Sequence, residues 1–487
     1  MRTPFIAMLG GLLLALAATA RAETRFSYGG SYYAWAQSQH AFTFNGDTYD
    51  DNYVVQELRL NLSFAPGDNL KVVTRFDMGQ GWWGVDNEPR SAQRTDSGGD
   101  RGGAGSSSAL FDFKDTNFLL HVDHAYLDFK LPGRPVGLRV GRQNYSLGNR
   151  LMVDNNYDGV QLDLNEVVGD RLTLSWARVS EGGDNLSDLE GGGVDNRDAD
   201  LFTLNLSDQV NALTYNAFAL FYQDRSTADG TAYVPDLLQF SQPRFSPQVT
   251  QLTALGLAGK YTRGRLSLDG EFDYLRGKDD IANPDHGAAQ KWDLNNGDLS
   301  GYNLYLKASH QTAPRLALGA VVGLGSGDGD LTRGSGNVNK LRTSGFFYLT
   351  EIWEDSIMPD EEGITPQGLG APNVRGYREL ENTTALQLNA TFKPREKLEC
   401  FGSYTLLRAT QEVHAWTAAG GIDPNTSASD LGNEVDFNLS YLIDKGLSAQ
   451  LRGGYFIPGD AALYLINGSA AADDPAWELK GLITCKF

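Results

Sequence analysis

An apolar residue at every second position, repeated along most of the chain, is the feature that most constrains how it can fold. In LRLNLSF, Leu58, Leu60, Leu62 and Phe64 fall on one side of an extended chain, while Arg59, Asn61 and Ser63 fall on the other. In RLSLDGEFDYLR, Leu266, Leu268, Phe272 and Tyr274 oppose Ser267, Asp269, Glu271 and Asp273. ALQLNATFK, EVDFNLSYL and LSAQLRGGY keep the same rhythm. A period of two belongs to a strand with one apolar face and one wet face. Helical periodicity is hard to find, and about eighteen strand-like segments follow one another.

The connections alternate as strictly as the side chains. Short links such as APGDN, LPGRP, NEVVG, SDQVN, TRG, QTAP, PRE and DKG carry the residues of tight hairpins. Between them come long stretches rich in Gly, Asp, Asn and Ser: 79–117, 180–199, 224–251, 277–299, 326–382, 409–433 and 457–475. A soluble sandwich or propeller has no reason to gather its long loops at one end. A transmembrane β-barrel does so, with short periplasmic turns and long extracellular loops.

In hydrocarbon every backbone N–H and C=O needs an internal partner, so strands cross only as a closed ring. The apolar faces then meet lipid, and the faces rich in Arg, Lys, Asp and Glu line a wet interior too wide for side chains to fill. The sequence therefore predicts an all-β chain, a single transmembrane antiparallel barrel of about eighteen strands spanning 23–487. Tyr32, Tyr33, Trp35, Trp82, Trp83, Trp176 and Trp477 are candidates for the interfacial aromatic girdles.

The start of the chain fits this destination. MRTPFIAMLGGLLLALAATARA has a basic start, a short apolar run and an Ala20-Arg21-Ala22 ending, the pattern of a cleaved secretory signal over 1–22. The expected location is the outer membrane of a Gram-negative bacterium, with membrane lipid and lipopolysaccharide as neighbours. A net charge of −20 argues against nucleic acid as a partner. The two cysteines do not make a disulfide framework. Cys400 and Cys485 are expected as free thiols on lipid-facing positions. The closing run WELKGLITCKF, ending on Phe487, resembles the carboxy-terminal assembly signal of bacterial outer-membrane barrels.

Three motifs resemble the alginate export family of outer-membrane barrels: LRVGRQ (138–143), LGNEVDF (431–437) and RGGYFIPGDA (452–461). The resemblance implies an eighteen-stranded monomeric channel that passes an anionic exopolysaccharide outward through an arginine-lined pore. By position, Arg452 would be a pore arginine, and it shares a strand face with Ser448 and Gln450. Arg139 and Arg142 are three apart and would point oppositely in a regular strand. A bulge at Gly141 would bring both inward.

The expected pore lining is Lys71, Arg75, Arg139, Arg142, Asp269, Glu271, Asp273, Glu434, Asp436 and Arg452. Both signs are present, whereas a pore tuned to a polyuronate should have one sign dominating its narrowest ring. A diffusion porin for small solutes therefore stays open, as does a structural sleeve around a periplasmic partner. FFYLTEIWEDSIMPDEE (346–362) is unusually apolar for a loop; folding into the lumen is favoured, with a gate over the mouth or a cap on the barrel rim as the alternatives.

No catalytic constellation stands out, so no enzyme activity and no cofactor are expected. HVDH (121–124) is read as two histidines on opposite strand faces rather than a metal site. DNNYDG (154–159) opens like a calcium loop but has Asn165 where a bidentate Glu belongs, and is read as an acidic loop tip.

Overall fold

The computed structural model describes residues 24–46, 50–83, 120–180, 198–224, 251–279, 297–327, 329, 335–338, 347, 349–357, 380–417 and 422–487. The signal segment 1–22 and most of the connections 79–117, 180–199, 224–251, 277–299 and 326–382 lie outside the described residues.

The first nine strands are β1 (Arg25–His40), β2 (Asp51–Gly67), β3 (Leu70–Trp82), β4 (Leu120–Lys130), β5 (Val136–Ser146), β6 (Asp154–Asn165), β7 (Arg171–Ser180), β8 (Ala199–Val210) and β9 (Leu213–Asp224). They continue as β10 (Gln251–Arg263), β11 (Leu266–Asp279), β12 (Gly297–Ala313), β13 (Leu316–Gly325) and the short β14 (Ser335–Asn337). The last five are β15 (Thr383–Arg395), β16 (Leu398–Trp416), β17 (Ile422–Asp444), β18 (Leu447–Pro458) and β19 (Ala476–Lys486). Each long strand pairs antiparallel with its sequence neighbour. β1 pairs with β19 from Ser31↔Lys486 to His40↔Trp477, which closes the ring. β14 is the exception, pairing parallel to β12 inside the longest connection. The result is a closed barrel of eighteen antiparallel strands.

The alternation sorts as the sequence requires of a membrane barrel. On β15, Leu388 is 59% exposed and Gln387 5%. On β11, Phe272 faces out at 47% while Glu271 and Asp273 are buried inside. Cys400 and Cys485 share the outward faces of β16 and β19 and are both free thiols.

Three expectations need correction. The connection 409–433 is mostly strand, because β16 runs to Trp416 and β17 begins at Ile422, leaving only 417–421 between them. Beyond the membrane a strand can be polar on both faces, so its composition imitates a loop. DNNYDG is likewise no loop tip but the start of β6, with Asp154 accepting from Asn144 Nδ2 at 2.9 Å.

The third correction concerns 457–475, which contains a helix, α1 (Asp460–Asn467). It has Asp460 in its first turn and a left-handed Gly468 at its end, whose N–H donates to Tyr464 O at 3.0 Å. Its residues Ala461 to Ile466 are all buried. A helix that is apolar all round shows no 3.6-residue stripe, so periodicity cannot reveal it.

Apolar side chains also collect inside the barrel, toward the long-loop end. Helix α1, Phe42, Phe44, Ile352, Trp353 and Ile357 pack together against inward residues of β15 to β18. On the other side, Leu147, Met152 and Val153 pack against inward residues of β6 to β12.

Candidate channel and its in-folded segments

Two segments narrow the interior, and acidic side chains on the strands hold both of them. Thr350–Ile357 turns into the barrel and includes a turn of π-helix, with Ile357 N donating to Ile352 O at 2.7 Å. Glu434 on β17 accepts from Ile352 N at 2.5 Å and from Trp353 N at 2.9 Å. Asp436, two residues on along the same face, accepts from Glu351 N and from Ser403 Oγ. Three successive N–H groups at the start of the turn thus meet two carboxylates, the charge arrangement favoured at a helix N-terminus.

Two of the three motifs that carry the family resemblance, LGNEVDF and RGGYFIPGDA, converge on this seat. Arg452 pairs with Glu351 at 3.5 Å. Gly454 leaves room that Ile352 and Asp436 occupy, so a Cβ there would collide with Asp436 and crowd Ile352. Phe456 stacks on Trp353 at 5.3 Å between ring centroids, and Phe44 completes the aromatic group at 5.7 Å from Phe456. Gly459 and Asp460 then start α1. From LGNEVDF come the buried Leu431, Glu434 and Asp436.

The second segment is the short link between β5 and β6. Asn149 donates its side-chain amide to Asp269 Oδ1 at 2.8 Å, and its backbone N–H to Glu271. Leu151, Met152 and Val153 are buried around that anchor. Asp273 lies beside Glu271 on β11, fully covered. Glu271, Asp273, Glu434 and Asp436 therefore face inward as the sequence predicts, but they lie beneath the in-folded segments instead of lining an open pore. Sequence alternation reports a side chain's face and not what later covers it.

The opposite wall keeps its charges in contact with solvent. Arg59 on β2 forks onto Asp77 of β3, with Nε and Nη2 each at 2.8 Å, and lies 3.2 Å from Glu57. Arg75 on β3 pairs with Asp123 of β4 and lies 3.7 Å from Asp77. Arg139 on β5 pairs with Asp163 of β6 at 3.1 Å. The side chains of Arg59, Arg75 and Arg139 remain 35%, 23% and 26% exposed, so water reaches this wall. Lys480 on β19 pairs with Glu478 at 2.7 Å and is nearly buried. Lys71 stands on the same face of β3, opposite Asp128 and nearer the short-turn end.

Arg142 is placed differently from the expectation. β5 pairs without interruption on both sides of Gly141, with Arg142 opposite Ala125 on β4 and Asp158 on β6. It lies on the outward face, 3.7 Å from Asp158, so the proposed bulge and the luminal role of Arg142 both fall. Gly141 has φ +123 and lies against the Ala125 carbonyl, which leaves no space for a Cβ. That close approach explains the glycine.

An irregularity occurs instead in β4, where Arg75 pairs with His124 and Phe76 with Val122, leaving Asp123 as the extra residue. The simple alternation assumed for HVDH breaks there. Asp123 turns inward to meet Arg75, and His124 bonds to Asn156 Oδ1 at 3.0 Å.

Residues not singled out from the sequence complete the wall: Glu57, Arg59, Asp123, Glu478 and Lys480. The alternation was legible for Glu57, Arg59, Glu478 and Lys480 and broken at Asp123, and the pairing across strands was legible for none of them. Two girdle candidates also change face. The Tyr33 hydroxyl donates to Glu57, and Trp35 stacks on Tyr33 at 5.3 Å on the same inward face. Trp176 and Trp477 do face outward, the latter 37% exposed.

The closed ring, lipid-type exterior and wet charged interior define a β-barrel of the membrane-spanning type, the fold of outer-membrane porins. Solved barrels share this fold. Acinetobacter baumannii OccAB3 aligns over 96% of this chain and 100% of its own, with a TM-score of 0.53 and 10% identity. Pseudomonas aeruginosa OpdK, solved with vanillate, aligns over 95% and 98%, with a TM-score of 0.51 and 12% identity. A BenF-like porin from Pseudomonas fluorescens Pf-5 covers 96% and 100% at 0.51 and 10%.

A family likeness comes from sequence: residues 366–468 match the family model described as alginate export, a stretch that contains LGNEVDF and RGGYFIPGDA. No curated protein matches the chain in sequence.

Proposed function

We propose that the chain is a passive outer-membrane channel through which a saccharide passes, of the exopolysaccharide export type. The observation that carries this reading is the division of the interior. Segments 147–153 and 349–357, with α1, fill the interior along β6 to β18, Leu151 and Leu349 sharing one apolar cluster, and the ion-paired wall of β1 to β5 is left accessible to water. A sleeve around a threaded protein needs a wide, unobstructed bore, and these segments argue against it. The alginate export match and the charged, arginine-containing wall support a saccharide channel. A diffusion porin for small solutes is the second reading, favoured by the fold shared with OpdK and the BenF-like porin.

Purified protein in planar bilayers tests the proposal. Discrete conductance steps that are interrupted by added oligosaccharide, but not by small carboxylates such as vanillate, are the expected result. Steps indifferent to any oligosaccharide favour the diffusion porin, and the absence of conductance overturns both.

A further inference from the structure

Resting on the channel reading above, we propose that the luminal wall formed by β1 to β5 is a binding track for an uncharged glycan, and not for a polyanion. The first ground is charge. On this wall Arg59, Arg75 and Arg139 are matched by four carboxylates, Glu57, Asp77, Asp123 and Asp163, and on the adjoining β18 and β19 Arg452 and Lys480 pair with Glu351 and Glu478, each within ion-pair distance. These positive charges are therefore already neutralised by the protein, and Lys71 stands apart from the row, nearer the short-turn end. A uronate sliding past them would have to displace a bonded carboxylate and leave it unpaired in a confined site, which is costly.

A hydroxyl group meets no such obstacle. It donates one hydrogen bond and accepts others, so it can bridge a guanidinium and its carboxylate without separating them. The wall offers such bridges in a row. From the Tyr33 hydroxyl the chain of contacts runs to Glu57, Arg59, Asp77, Arg75 and Asp123 across β1 to β4. Vicinal hydroxyls of a pyranose match alternating donors and acceptors of this kind.

The second ground is independent of charge. Tyr33 and Trp35 stack with an interplanar angle of 25° on the inward face of β1, one strand from Arg59. A flat aromatic surface beside a row of polar groups suits a sugar ring, whose C–H face packs on the ring while its rim hydrogen-bonds. The tyrosine is tied to Glu57, so the aromatic surface and the ion-pair row form one structure.

Reversal potentials and current block in planar bilayers test the assignment, with maltohexaose as the neutral probe and a hexauronate as the anionic one. The expected results are no preference for chloride over potassium, and block by maltohexaose at lower concentration than by hexauronate. Trp35→Ala should weaken the maltohexaose block about tenfold, a change of about 1.4 kcal/mol in binding, and Trp35→Phe should weaken it less. Anion preference, stronger block by hexauronate, or unchanged block in both variants would overturn the glycan assignment. Any of these with conductance intact leaves the channel reading standing, whereas loss of all conductance in the unaltered protein removes the channel itself.

Discussion

Glu434 holds the backbone N–H groups of both Ile352 and Trp353, at 2.5 and 2.9 Å, from a fully buried position on β17. A strand side chain thereby fixes backbone groups 82 and 81 residues away in sequence to the inside of the wall. Glu434→Ala leaves two buried donors without their acceptor, which costs about 1–3 kcal/mol. The in-folded segment should loosen, giving a larger and noisier single-channel conductance and an earlier urea midpoint. Glu434→Gln keeps the shape and one acceptor oxygen, so it should fall between. Identical conductance in all three proteins would show that the segment does not narrow the passage.

Trp353 is the largest side chain in the buried group on that side, stacked on both Phe44 and Phe456, which also contact each other. Trp353→Ala should lower stability by about 3–5 kcal/mol, the usual cost of emptying a large aromatic site. Because Phe456 keeps only Phe44 of its two aromatic partners in that variant, Phe456→Ala added to it should cost less than it does alone. Equilibrium unfolding of the two single variants and the double variant checks this, and strict additivity would contradict the stacking.

Arg139 and Arg142 are three residues apart and should behave as unrelated residues. Arg139→Ala releases Asp163 on the inner wall and should shift the reversal potential toward cations. Arg142→Ala acts on the outward face and should leave ion selectivity unchanged. A selectivity change in Arg142→Ala would restore the luminal reading that the strand register rejects.

Cys400 and Cys485 stand on outward faces of strands that are not neighbours. Membrane-permeant maleimide should therefore modify both in liposomes, while a charged, impermeant maleimide should modify neither. The intact mass should be the same with and without reductant. A reductant-sensitive mass would mean that the two strands are wrongly placed.

The barrel was legible because strand alternation and loop length are local properties. Leu58, Leu60, Leu62 and Phe64 reveal an apolar face without reference to any other strand, and the short turns reveal which neighbours pair. The channel interior was half legible. Arg75, Arg139 and Arg452 stand on the inner face, where an unbroken strand period puts them. Arg142 lies outward because β5 pairs regularly through Gly141, whereas Asp123 turns inward because β4 carries an extra residue that nothing in HVDH announces.

From the sequence alone came the number and direction of the crossings, the lipid-facing side of each strand, and a family resemblance carried by three short motifs. Tertiary structure alone decided what those inward side chains touch. Glu271 and Glu434 look like pore charges in one dimension, yet each serves as an acceptor for a segment arriving from elsewhere in the chain. Periodicity records the direction in which a side chain points. Its partner depends on which distant backbone comes to rest against it, and that contact exists only once the ring has closed.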